Sequence, residues 1–136
     1  MVTVYDVTPN KLVAKVAEKL KAMDIPQPSY IGTVKSGAHA ERMPQQKDFW
    51  YLRLASLLRN AYVHGNVGVG ELRNHYGGKK TRGVKPERKV RAGGSIIRKG
   101  MQALEKAGLM TKKKTGRELS AAGKKLLDAS AKEAAS

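Results

Sequence analysis

"KDFWYLRLASLLRNAYVHGNVGVGELRNHYGG", Lys47 to Gly78, decides the fold. Placed on a helical wheel at about 100° per residue, its first half turns apolar groups over most of the circle. Trp50, Tyr51, Leu54, Ala55, Leu57, Leu58, Ala61 and Tyr62 supply them, and a narrow polar arc is left for Asp48, Arg53, Ser56, Arg59 and Asn60. A helix with so wide an apolar surface must be packed on several sides. The segment is therefore the predicted centre of the molecule, with Asp48 as its N-cap. His64-Gly65-Asn66 supplies a glycine cap at its end. A short helix is predicted next, from Val69 to Tyr76, stopped by Gly77. Helix, tight glycine turn, helix is how a helix-turn-helix begins.

The same pattern extends toward both termini. Ser95 is the predicted cap of a longer helix, "IIRKGMQALEKAGL". Ile96, Ile97, Gly100, Met101, Leu104 and Ala107 form its buried face, and Arg98, Lys99, Gln102, Glu105 and Lys106 its exposed one. Ala107-Gly108-Leu109 is a glycine ending followed by an apolar residue, as in a Schellman motif. "LMTKKKTGRELS" reads as a short hairpin with Thr115-Gly116 at its tip. Ser120 caps a last helix that packs through Leu126 and Leu127, and residues 129–136 are expected to fray. At the other end, Thr8-Pro9 starts a helix that buries Leu12, Val13, Val16, Leu20 and Met23 and ends near Asp24. Lys11, Lys15 and Lys19 line its solvated face. Residues 24–47, with three prolines, are expected to be a long loop pinned through Tyr30, Ile31 and Val34.

Together these elements predict one domain over residues 1–136: an N-terminal helix and loop (1–47) packed on a core (48–128), with a frayed tail (129–136). The fold class is mostly α, a winged helix-turn-helix-like domain with a small β-hairpin wing and an added N-terminal helix.

Charge carries the functional signal. The 136 residues hold 27 Lys or Arg against 11 Asp or Glu, a net charge of +16. Residues 77–117 hold 14 of the basic residues and only two acids, Glu87 and Glu105. A localised excess of this size fits a polyanionic partner better than a surface tuned for solubility. Its densest part, "YGGKKTRGVKPERKVRAGGS", is expected to be a mobile loop from Gly78 to Gly93 that lacks core residues because its packing partner is RNA. Lys79, Lys80, Arg82, Lys85, Arg88, Lys89 and Arg91 would neutralise phosphates there, while Gly77, Gly78, Gly93 and Gly94 would let the backbone come close. The polar arc of the central helix offers Arg53 and Arg59 to an external anion. The later helix offers Arg98 and Lys99, and the wing offers Lys112, Lys113, Lys114 and Arg117 to phosphate.

Other chemistries find little support. There is no cysteine, which fits a cytosolic protein. No apolar run approaches the ~20 residues of a membrane span, and "MVTVYDVTPNKL" lacks the layout of a signal peptide. His39, His64 and His75 lack metal-ligand spacing. Gly65, Gly68 and Gly70 match no phosphate-binding fingerprint. Ser36, His39 and Glu41 are unoriented, so no catalytic residue, enzyme activity, metal or cofactor is expected. Phe49, Trp50 and Tyr51 are read as core before stacking platforms.

The series "DFWYLRLASLLRNAYVHGNVGVGELRNHYGGKKTRGVKPE", "GGSIIRKGMQALEKAGLM" and "GRELSAAGKKLLD" resembles the S19e family of small-subunit ribosomal proteins of archaea and eukaryotes, from about Val4 to Leu127. The resemblance implies a mostly helical winged-helix-like fold and a place in the head of the small ribosomal subunit. It implies contact with ribosomal RNA and neighbouring ribosomal proteins, a cytoplasmic location in the small subunit, and a role in maturation of that subunit. It also implies that Arg53, Arg59 and Arg98, with the basic loop, form the rRNA-facing surface. The expected free protein is a monomer without membrane contact. The alternative is a dimeric winged-helix regulator reading duplex DNA; its later helix would offer Arg98, Lys99 and Gln102 as base readers.

Overall fold

The protein is seen here as a computed structural model that describes residues 3–23, 25, 28, 37, 48–114 and 116–135. Helix α2 (Phe49–His64) is the core element, as its apolar circumference requires. Trp50, Leu54, Ala55, Leu57, Leu58 and Ala61 are buried along it; each leucine contributes about 2 kcal/mol relative to an exposed side chain. Helix α1 (Pro9–Ala22) packs on α2 through Leu12, Val16, Ala17 and Leu20, and α5 (Ala121–Ala135) packs on α1. Helix α4 (Gly94–Lys106) packs on both α2 and α3 (Val69–Tyr76). Gly100 makes the α2–α4 approach possible, since a Cβ there would stand 2.8 Å from Leu57 Cδ1 and 3.1 Å from Leu54 Cδ2.

After α4 the chain ends its helix as the sequence predicts. Gly108 has φ +82°. Its N–H donates to the Glu105 carbonyl at 3.1 Å, and the Leu109 N–H donates to the Leu104 carbonyl at 3.0 Å. These are the two bonds of a Schellman motif. Strands β3 (Met110–Lys113) and β4 (Gly116–Leu119) then form the wing, and Arg117 exchanges two backbone hydrogen bonds with Val67, at 3.0 and 2.9 Å. The segment between α2 and α3 thus adds a bridge to the wing. This mostly helical, winged-helix-like architecture matches the expected fold class.

Several local expectations change. Residues 78–93 are not an open loop: they form a second antiparallel hairpin, strands β1 (Gly78–Arg82) and β2 (Lys85–Val90). Gly83, with φ +68°, occupies the first place of its two-residue turn, the position that a type II′ turn reserves for glycine. The wing turn lies one residue earlier than Thr115-Gly116, because Gly116 pairs with Lys113; Thr115 lies outside the described residues. Asp48 stands at the N-cap of α2 but is left-handed, with φ 61°, and its carboxylate meets Lys21 Nζ at 3.1 Å instead of capping. Helix α4 begins at Gly94, one residue before Ser95, so Gly93 is its N-cap. Residues 129–135 continue α5 and do not fray: Ser130 and Ala131 are buried, and Glu133 pairs with Lys19 at 3.3 Å.

On α1, Met23 is exposed and not part of the buried face, since the helix has ended at Ala22. Most of the 24–47 segment, with Tyr30, Ile31 and Val34, lies outside the described residues. Ile25 is buried and its carbonyl accepts from the Tyr51 hydroxyl at 3.1 Å. Gly37 forms a bridge with Ala92.

Candidate nucleic-acid interface

The β1–β2 hairpin is an arm with little core contact. Lys79, Lys80, Lys85, Arg88 and Lys89 are exposed and Arg82 is half-buried. Its register sets Lys79 opposite Lys89, Lys80 opposite Arg88, and Arg82 opposite Lys85. Like charges directly across a ladder destabilise it, and a lone two-stranded hairpin is marginal to begin with. Among the described residues no carboxylate pairs with any of these six. Val84, beside the turn glycine, is fully exposed.

The arm is fastened at its base. The Ala92 N–H donates to the Arg73 carbonyl at 2.9 Å, and Arg73 Nε donates back to the Ala92 carbonyl at 2.8 Å. Arg91 Nη2 donates to the Gly70 carbonyl at 2.9 Å. Gly77 is where the two chain segments meet: a Cβ would lie 2.4 Å from the Val90 carbonyl and 3.0 Å from Arg91 Cα. Gly94 similarly accommodates Arg73, whose Cδ would be 3.2 Å from an added Cβ. Gly78 opens β1 opposite Val90, and Gly93 caps α4. The close approaches at Gly77 and Gly94 are within the chain itself, a structural use that the sequence reading had assigned to a ligand.

The two arginines of α2 differ from each other. Arg53 is half-buried, with its guanidinium carbon 3.9 Å from the centre of the Tyr76 ring and 5.3 Å from that of Phe49. Burial lowers its pKa and the contact with Tyr76 opposes that shift; a guanidinium so placed stays charged. Tyr76 is itself fixed, since its hydroxyl shares a 2.6 Å hydrogen bond with Ser56 Oγ and accepts from Asn60 Nδ2 at 3.0 Å. Asn60, on the polar arc of the wheel, is buried and also donates to the Ser56 carbonyl at 3.0 Å. Arg59 keeps its Nε buried without a hydrogen-bond partner among the described residues, and an unmade bond on a charged donor is costly unless a ligand completes it.

On α4, Arg98 and Lys99 are exposed. On the wing, Lys112, Lys113 and Lys114 are exposed, whereas Arg117 is largely covered and its Nε meets Glu105 Oε2 at 3.3 Å. Arg91 and Arg117 thus both have partners within the chain, Arg91 a carbonyl while it stays exposed and Arg117 a carboxylate under cover. Their charge marked them in the sequence, but composition cannot separate an internal strap from a free cation. Arg73 and Tyr76, which hold the arm and the Arg53 guanidinium, were missed because their partners are distant in the chain. Among the described residues, no His, Asp or Glu group is placed to hold a metal ion, and no helix is long and apolar enough to cross a membrane.

The chain matches the family model described as ribosomal protein S19e over residues 3–136. It is 42% identical to the small ribosomal subunit protein eS19 of Aeropyrum pernix, over 98% of this chain and 90% of that protein. It is likewise 42% identical to the eS19 protein of Haloarcula marismortui, over 94% of this chain and 88% of the relative. The protein eS19A of Saccharomyces cerevisiae is 45% identical over 74% of this chain and 72% of its own. A match over nearly the whole length, on a winged-helix-like fold carrying a charged arm, shows that this chain belongs to the ribosomal protein S19e family.

Proposed function

We propose that the protein is a structural component of the small ribosomal subunit that binds ribosomal RNA in the subunit head and is needed for subunit maturation. It acts in the cytoplasm beside neighbouring ribosomal proteins, and is a monomer when free. One observation carries the RNA reading: the β1–β2 arm opposes like charges at three pairs, Lys79–Lys89, Lys80–Arg88 and, beyond a register shift, Arg82–Lys85. Such a ladder is held against its own repulsion in the free protein, and a polyanion removes that repulsion. The names of the relatives support the ribosomal part.

In this reading, Lys79, Lys80, Arg82, Lys85, Arg88 and Lys89 neutralise phosphates along the arm. Arg53 and Arg59 extend the surface across α2, the first held by an aromatic ring and the second with a donor to fill. Arg98, Lys99, Lys112, Lys113 and Lys114 add exposed charge from α4 and the wing. Arg91 keeps its full charge at the exposed root of the arm, since its partner is a neutral carbonyl, while Glu105 offsets much of the charge of Arg117. RNA is recognised largely through shape and phosphate, which a charged arm suits. Such a protein needs no catalytic group.

Sedimentation of a native extract on a density gradient, with and without ribonuclease, tests this. The protein should run with the small subunit and leave that peak on RNA digestion. Recovery only at the top of the gradient, as a dimer that binds one short duplex tightly, would overturn it in favour of a DNA regulator.

A further inference from the structure

Between the end of α2, the outer side of α3 and strand β2 lies a cleft of about 420 Å³. That volume falls in the range of small-ligand sites. Its apolar surface comes from Val67 and Leu72, both buried. Its polar lining includes Asn60, Glu71, Asn74, His75 and Lys89. This set combines side-chain amides, a carboxylate, an aromatic ring and one cation at the root of the phosphate-binding arm.

We infer that this cleft receives one unstacked RNA base, with guanine preferred, and that Lys89 meets the phosphate of the same nucleotide. The inference rests on the rRNA-binding reading above and names a base-specific subsite within it. Guanine is favoured by the chemistry of Glu71. A carboxylate accepts two parallel hydrogen bonds, and the N1–H and N2–H₂ of guanine are adjacent donors on one edge. Uracil offers a single imide N–H and no exocyclic amine. The amide of Asn74 can donate and accept on the remaining polar atoms. His75 supplies a flat ring for the base to stack upon, the usual means by which proteins hold splayed-out bases. Its ring is braced edge-on against Tyr76, with centroids 4.9 Å apart and an interplanar angle of 82°. Burial, then the nearby His64, Arg53 and Arg59, hold the His75 imidazole below its ordinary pKa, so the ring is neutral near pH 7.

The subsite differs from the arm in kind. The arm reads phosphate, which every nucleotide carries. The cleft would read a base edge, which gives sequence preference at a single position.

The test uses the full-length isotope-labelled protein, titrated in turn with GMP, AMP, CMP, UMP and inorganic phosphate and followed by NMR. GMP should shift the signals of Asn60, Glu71, Asn74 and His75 at lower concentration than UMP, and phosphate should move only the arm. Glu71→Gln should weaken GMP about tenfold, the loss expected for a bidentate base contact, and leave UMP unchanged. Equal shifts from all five ligands, or none at the cleft, would overturn the inference. The gradient experiment separates this from failure of the ribosomal reading. Wild-type protein in the small-subunit peak with a silent cleft leaves that reading standing and removes only the base subsite. Cleft shifts by GMP with the protein absent from that peak would make the ligand a free nucleotide and overturn the RNA source.

Discussion

The Arg53 guanidinium carbon lies 3.9 Å from the centre of the Tyr76 ring, and the Tyr76 hydroxyl is tied back to Ser56 and Asn60 on the same helix as Arg53. The contact therefore closes a loop: α2 holds the tyrosine of α3, and that tyrosine holds an arginine of α2. Tyr76→Phe removes the hydroxyl and leaves buried Asn60 with one acceptor fewer, a loss of about 1–3 kcal/mol in stability. Tyr76→Leu also removes the ring face under the guanidinium, a further loss of roughly 0.5–2 kcal/mol. Urea unfolding measures both. RNA affinity should survive in Tyr76→Phe and fall in Tyr76→Leu; equal stability losses in the two variants would show that the ring does not hold Arg53.

The arm predicts opposite effects of one substitution on folding and binding. Lys89→Glu turns the Lys79–Lys89 pair into opposite charges and should stabilise the hairpin of the free protein by about 0.2–1 kcal/mol. The gain appears as slower amide exchange across residues 78–90. RNA binding weakens in the same variant, and the salt dependence of its affinity becomes shallower. The neutral Lys80→Ala should lower the slope of log affinity against log salt by roughly one phosphate contact. An unchanged slope in Lys80→Ala would remove that residue from the phosphate-binding set.

The helical frame was legible because its signals are local. α2 declares itself by the width of its apolar surface, and α3, by its glycine stops, has the predicted bounds from Val69 to Tyr76. The arm was misread as a loop because strands are recognised by apolar alternation, which reflects one face packed on a core. Here almost every side chain of β2 is exposed, so the alternation has no cause to exist. Gly83-Val84 was the one remaining cue. The partners of Arg53, Arg91 and Arg117 were illegible for a different reason. A cation's sequence neighbours do not say whether a ring, a carbonyl or a carboxylate will meet it in space.

Gly77 separates the placement of the arm from its charge. Its φ of −72° suits any residue, so Gly77→Ala introduces no backbone strain of its own. The added methyl would lie 2.4 Å from the Val90 carbonyl and 3.1 Å from the Arg73 carbonyl, and backbone atoms cannot rotate away as side chains do. We expect about 1–3 kcal/mol of destabilisation, in the range of overpacked sites. Amide exchange should quicken at Val90 and Ala92 while α2 stays protected. RNA affinity should fall although every positive charge remains. Wild-type affinity in a folded Gly77→Ala variant would mean that charge alone matters and the anchoring of the arm does not.

His75 gives the pH dependence its sign. Its pKa is lowered from 6.5, by burial first and then by His64, Arg53 and Arg59; Glu71, one helical turn earlier on α3, lines the same cleft with Lys89. The unfolded chain, with an ordinary imidazole, therefore takes up this proton before the folded one does. The contribution to stability is fully present above the ordinary value of 6.5 and is lost as pH falls through it toward the folded pKa. Urea midpoints measured downward from pH 7.5 should fall through this window, and His75→Gln should flatten that part of the curve. Bound RNA adds the reverse effect. Phosphates beside Arg53 and Arg59 offset the repulsion those groups exert, so the His75 ring signal should titrate at higher pH in the RNA complex than in the free protein. A downward or absent shift would place the phosphates elsewhere than on the α2 arginines.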